Sequence, residues 1–306
     1  MQMMLMLVLG HTLALTKPVN NIINLAVKNC NSTAKAAAIV TLLTVLVGLF
    51  NWGLGLIFGA IFARKVAEFA TENKLKINYP LIGAAGYSAL MVWHCGLSGS
   101  SLAKVAEPNH IQTMMAGIIS EDKLALLPNQ ISYSETVGSS MNIFVMLLLV
   151  IVLPLAMYWL GKKSNSAFIN VITNSSIESS ETKKVGAEKL DYSKWFSLFF
   201  GLVILLFIAY KIVVDYNYDF LKFFNPNNIN LLLFALAISL HKSIFHFLKA
   251  LDNAIGGASG ILIQFPLYFG IMGIMKSSGL VNEIADFLFL YHQKQVILFT
   301  LFLVLD

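Results

Sequence analysis

Residues 36–63 read AAAIVTLLTVLVGLFNWGLGLIFGAIFA, 28 positions without a charge. A membrane-crossing helix needs about 20 apolar residues, so this run is long enough to cross, and its centre is the unusual part. Asn51-Trp52-Gly53-Leu54-Gly55 places a polar amide and two glycines where a straight helix gains from neither, glycine costing about 1 kcal/mol relative to alanine. A re-entrant hairpin uses all of them. Two arms of about 14 residues, each about 21 Å long, would reach part-way across the bilayer and meet at a tip with free backbone N–H groups. Such a tip is tolerated only inside protein or against water. The other reading is one long tilted helix whose Gly55 and Gly59 form a packing face.

The rest of the chain has the same character. Of its 306 residues, 57% are hydrophobic and 12% charged, against roughly 25% charged in a soluble domain. Further uncharged runs occupy 1–16, 77–103, 136–161, 195–210, 223–241, 253–275 and 295–305. No Asp, Glu, Lys or Arg lies deep in any of them. The composition is that of an all-α, polytopic transmembrane helix protein. Lys and Arg number 21, but Arg64 is the sole arginine, and the arginine–aromatic clusters of nucleic-acid binding are missing. Cys30 and Cys95 form no CxxC and have no zinc-ligand spacing, so neither a metal site nor a cofactor is implied.

Segment 162–194 is the one clear linker, with six lysines among serines and acids. It divides a first membrane half, 1–161, from a second, 195–306. The first run begins at Met1 without a basic leader, and the last stops at Asp306 after about ten residues, about 15 Å of helix. Both ends therefore read as those of a fragment. If every run changes sides, connections 64–76 and 162–194, with four and six basic residues, face the cytoplasm, and 17–35 and 104–135, with three and two, face away. An apolar run, a stretch containing Asn20, Asn21, Asn24 and Lys28, and a second apolar run recur about 260 residues later around Asn282, Glu283 and Asp286. That plan hints at the repeats of secondary transporters.

Run 77–103 breaks at Trp93-His94-Cys95-Gly96-Leu97-Ser98-Gly99-Ser100-Ser101. Glycines there would unwind a helix, hydroxyls would replace the lost bonds, and a half-helix starting after the break would turn its positive N-terminus to an anion. Close helix packing by Ser and Gly is the alternative. His94 and Cys95 lack a third group to orient them as a nucleophile pair, and catalysis is not expected. His11, at the end of a span, is a candidate for proton or ion coupling. In the second half, Gly256 and Gly260 precede Gln264 and Pro266, where a kink would offer an amide and a freed carbonyl to a substrate path. His241, Lys242, His246 and Lys249 read as one basic helical face.

Gly10-His11-Thr12, Asn51-Trp52-Gly53-Leu54-Gly55, Phe62-Ala63-Arg64-Lys65, Tyr79-Pro80, Gly96-Leu97-Ser98-Gly99-Ser100, Met141-Asn142, Leu240-His241-Lys242 and Gln264-Phe265-Pro266 follow one another along the chain. In these motifs and their order the chain resembles the bacterial short-chain fatty acid transporter family, within the wider group of ion transporters built from inverted repeats. The resemblance implies a re-entrant hairpin over 36–63, a broken helix over 77–103, and a rigid block that slides against a scaffold. It also implies earlier segments before Met1 and a second hairpin after Asp306. The family's glycine run is replaced here by His94-Cys95-Gly96.

The expected function is a transporter of small monocarboxylates such as acetoacetate or butyrate, multi-pass in the bacterial cytoplasmic (inner) membrane and driven by a proton or sodium ion. Without buried cations, the substrate would be met by Asn51, Trp52 and Gly53, by Ser98, Gly99, Ser100 and Ser101, and by Gln264 and Pro266. A sodium-coupled dicarboxylate or other organic-anion carrier is the runner-up, and a membrane-embedded enzyme or passive channel the alternative of another class. Partners are the substrate and the bilayer, with no nucleic acid and with a homo-oligomer left open.

Overall fold

Asparagine and serine mark where the helices begin, because their side chains satisfy amides that the first turn leaves free. The computed structural model describes residues 2–98, 102, 104–169, 186, 188–218, 223, 225–281, 283–284, 286–288 and 290–291. Its helices are α1 (Gln2–Ala14), α2 (Lys17–Val27), α3 (Thr33–Phe50), α4 (Trp52–Glu72), α5 (Tyr79–Gly86), α6 (His110–Met115), α7 (Glu121–Ala125), α8 (Ser140–Lys163), α9 (Glu188–Asp191), α10 (Lys194–Val214), α11 (Pro226–Leu240) and α12 (Ile244–Ser277). Asn51, Asn78, Ser139 and Asn225 each accept a hydrogen bond from an amide in the first turn of the helix they precede. A two-residue antiparallel ribbon pairs β1 (Lys76–Ile77) with β2 (Ala167–Phe168).

Contacts divide the chain into two compact units, residues 1–107 with 131–258 and residues 108–130 with 259–306. In the second unit Lys276 Nζ donates to Met114 O at 3.5 Å. The first unit is a helical packing in which α3 lies between α4 and α8, and α1 between α4 and α11. α3, α8 and α10 are long and apolar enough to cross a membrane. Phe144, Leu148, Ile151, Leu155 and Trp159 form an exposed apolar stripe along α8, which in water would be a large liability and in lipid is the expected outer face. The fold is that of an all-α, multi-pass membrane protein.

At Asn51 the chain turns back on itself. An alanine carbon built at Gly55 would lie 2.7 Å from Gly48 Cα, and one built at Gly59 would lie 2.9 Å from Thr44 Cγ2. The paired numbers rise on α4 as they fall on α3, so the two helices run antiparallel. The arms have 18 and 21 residues, about 27 and 32 Å at 1.5 Å per residue. They exceed 36–63 at both ends because Ser32 starts α3 earlier and α4 continues through Arg64, Lys65 and Glu68 as a polar turn. Glu68 is held below the usual carboxylate range: partial burial pushes it up, but bonds of 2.7 Å from Lys65 and 3.2 Å from Arg64 outweigh that.

The antiparallel hairpin overturns the strict alternation of sides. Thr33 Oγ1, at the start of α3, lies 2.8 Å from Ser166 Oγ and accepts from Asn78 N at 2.9 Å. The start of α3 therefore lies beside residues 76–78 and 166–168. The basic face read at 241–249 is also corrected: α11 ends at Leu240, His241 takes an extended backbone, and His241 Nε2 contacts Thr12 O at 3.0 Å. Ser243 Oγ then accepts from His246 N as a new helix starts, so these residues do not share one helix. Pro266 does not interrupt α12.

Cys30 is fully buried between α2 and α3, and burial pushes its thiol up to about 12. Since the thiolate is the reactive form, maleimide at pH 7.5 should modify half-buried Cys95 and spare Cys30, with both reacting after unfolding. Equal labelling of the folded protein, read by mass spectrometry, would contradict this packing.

Candidate functional site

Asn51 is used twice by the turn it occupies. Its backbone N–H closes α3 on Val47 O at 2.9 Å, and its Oδ1 accepts from Leu54 N at 2.8 Å to open α4. The side chain is 0% exposed. With the oxygen committed to the cap, the Nδ2 donors are left, and they have no partner among the described residues. Trp52 follows, 4% exposed, and its Nε1–H is likewise without a partner among them. A buried donor left unpaired costs about 1–3 kcal/mol. Two of them on consecutive residues at a helix start, where the dipole is positive, mark a place suited to an acceptor or an anion.

The second wall is the stretch after α5. A short 3-10 turn over Ser88–Met91 leads into turns through residues 92–98. Leu97 N donates to Leu49 O at 2.8 Å, and Ser98 Oγ accepts from Trp52 N at 3.0 Å, fastening this stretch to both sides of the hairpin tip. Its own carbonyls are met by residues the sequence reading did not single out as part of a site. Asn142 Nδ2 donates to Cys95 O at 3.0 Å and Val137 O at 2.8 Å, and Tyr133 OH donates to Leu97 O at 3.1 Å. Unwound backbone at membrane depth survives only with such partners. The signal for Asn142 was an amide in the first turn of an otherwise apolar helix. Trp93 stands edge-on to Trp52 with centroids 5.5 Å apart, and exposed His94 stands edge-on to Trp93.

α1 closes the tip from a third side. A carbon at Gly53 would lie 2.9 Å from Leu7 Cα, and one at Gly10 would lie 2.7 Å from Leu54 N and 3.1 Å from Asn51 Oδ1. Gly53 is therefore occupied in letting α1 approach, and half-buried His11 is the next residue after Gly10 on α1. Thr41 and Thr44, one turn apart on α3, add two fully buried hydroxyls without partners among the described residues. Every fully buried polar residue among those described is uncharged.

Asn51, Trp52, Gly53 and Ser98 are thus brought together. Gly99, Ser100 and Ser101 lie outside the described residues. Gln264 and Pro266 are exposed on α12, in the other compact unit. Among the described residues no three His, Cys, Asp or Glu side chains come close enough to hold a metal ion.

A family model described as short chain fatty acid transporter matches residues 1–302. A protein of Escherichia coli strain K12 with the curated name "Putative short-chain fatty acid transporter" is 29% identical over 293 residues, and one of the same name from Haemophilus influenzae is 31% identical over 302. Each match covers 94% of this chain and 62% of the relative, so the chain spans less than two thirds of the length of these relatives. No solved structure matches the chain.

Proposed function

Because the chain belongs to the short chain fatty acid transporter family, we propose that it forms part of a secondary carrier that takes small monocarboxylates such as butyrate or acetoacetate across the bacterial cytoplasmic membrane. It is a membrane transport protein and not an enzyme. The observation that carries the substrate class is the pair of buried, unpartnered donors at the hairpin tip, Asn51 Nδ2 and Trp52 Nε1. A carboxylate accepts from two donors at once and gains from the positive end of α4. Neutral donors suit a single negative charge, whereas a dicarboxylate is ordinarily met by a guanidinium.

In this reading Asn51 and Trp52 hold the carboxylate, Ser98 fixes the tip through Trp52 N, and Trp52 and Trp93 face the short acyl chain. Gly53 sets the approach of α1. Gly99, Ser100 and Ser101, and Gln264 and Pro266, are further proposed substrate contacts that rest on the sequence. His11, next to Gly10 on α1, is the candidate for carrying a coupling proton, with sodium the other coupling ion. Moving one negative charge inward against an inside-negative potential costs about 2.3 kcal/mol per 100 mV, so uptake requires a co-transported cation.

Labelled butyrate should accumulate in proteoliposomes when a proton or sodium gradient is imposed, and unlabelled acetoacetate should compete where succinate does not. Accumulation that ignores both gradients would remove the coupled-carrier reading. Succinate competing better than butyrate would favour a dicarboxylate carrier instead.

A further inference from the structure

Helix α2 carries three distinct faces along its whole length. Ile23 and Val27 are buried against the core of the hairpin, with Val19 and Ala26 partly buried beside them. Lys17, Asn21, Asn24 and Lys28 are exposed at intervals of four, three and four residues, one stripe of a helix. Pro18, Ile22 and Leu25 form a second exposed stripe, with Ile22 52% and Leu25 65% exposed, roughly 100° round the axis from the first at 100° per residue. A helix that crosses from lipid to water changes polarity along its axis. One whose polarity changes around the axis lies along the boundary instead.

The level of that boundary is marked next door. At the end of α8, Lys162 lies over the Tyr158 ring at 4.9 Å and Lys163 over Trp159 at 3.7 Å. Aromatic rings with lysines reaching past them belong to the headgroup layer. Gly161 of that turn packs on Ala34, so close that a carbon added there would lie 2.5 Å from Ala34 Cα. The start of α3, one short loop after Lys28, is therefore at the same level. Exposed Lys35 and Lys76 stand at this end as well, with exposed Glu72 as an acidic counterpart.

We infer that α2 lies in the headgroup layer and docks anionic phospholipids through Lys17 and Lys28. The helix is 11 residues long, about 16 Å, so the two lysines take two separate headgroups. The asparagines between them face the same layer, and Ile22 and Leu25 rest in the acyl boundary. A lysine beside an anionic surface contributes about a fivefold gain in affinity.

The test is a titration of the detergent-solubilised protein with phosphatidylglycerol, reading the rise in unfolding temperature against phosphatidylcholine as the neutral control. Lys17→Gln and Lys28→Gln should each raise the half-saturating lipid concentration about fivefold, and the double variant about 30-fold. Lys17→Arg/Lys28→Arg should restore it, and Lys123→Gln should leave it unchanged. A double glutamine variant that folds and responds like the parent overturns the proposal. Spin labels in a cysteine-free background locate the helix independently. At position 22 oxygen should relax the label, and at position 24 a water-soluble nickel chelate should. Nickel access at both positions would make α2 the lining of an aqueous crevice and overturn the lipid assignment.

Discussion

Gly59→Ala should cost the folded protein about 3 kcal/mol, whereas Gly83→Ala, in α5, should be neutral or gain up to about 1 kcal/mol. The same methyl is added in both, so the difference isolates one contact. At Gly59 the new carbon would fall on Gly86 O, within 2.8 Å of Gly86 C and 2.9 Å of Thr44 Cγ2, whereas at Gly83 nothing lies within 4 Å. The first obstruction is a backbone carbonyl, which cannot rotate away. α5 must move off α4, and every dispersion contact across that seam weakens together. In lipid this matters more than in water, because helices gain little from hiding apolar area and are held by close packing itself. Unfolding in mixed micelles by denaturing detergent gives the comparison. Equal stabilities for the two variants would mean that α4 and α5 do not meet at Gly59.

Asn51→Asp is expected to keep the fold and lose transport. A carboxylate oxygen can still accept from Leu54 N and is favoured at a helix start, so the cap survives. The Nδ2 donors are replaced by a negative oxygen facing an anionic substrate. A charged hydrogen bond contributes about 1.5–3 kcal/mol, so losing it and adding repulsion should lower uptake by about 100-fold or more. Trp52→Phe removes the Nε1–H together with part of the indole ring, and about tenfold is expected from the lost hydrogen bond. Asn51→Ala loses cap and donor together, combining a stability cost of about 1 kcal/mol with the transport defect. Uptake rates normalised to folded protein separate these outcomes. Normal transport by Asn51→Asp would remove the tip from the substrate site.

Several helix limits were legible because they are local chemistry. Asn51, Asn78, Ser139 and Asn225 cap the helices that follow them; the last three stand near the start of an apolar run, and Asn51 stands in the middle of one. The break at Asn51 holds and the rival reading of one long tilted helix falls, since one helix ends at Phe50 and the next starts at Trp52, yet the packing role of Gly55 and Gly59 survives. The amide ends one helix and starts the next, and the glycines then press the second arm against the first and against α5. At 241–249 periodicity misled, since residue spacing cannot register that Thr12 O draws His241 out of the helix. The site roles of Asn142 and Tyr133 were not legible because their value lies in carbonyls 47 and 36 residues away.

The sequence by itself determined that this is an all-helical membrane protein with few charges, pushed to the helix ends, because hydrocarbon tolerates neither unpaired backbone nor stray charge. It also indicated Asn51 as the turning point. Only the tertiary structure decided which ends of the helices lie together, since a hairpin returns the chain to its starting side and composition carries no record of that return. It alone decided, too, that the oxygen of Asn51 is spent on the cap while its nitrogen is not. Which atoms of a buried amide remain free depends on every neighbour the fold brings to it.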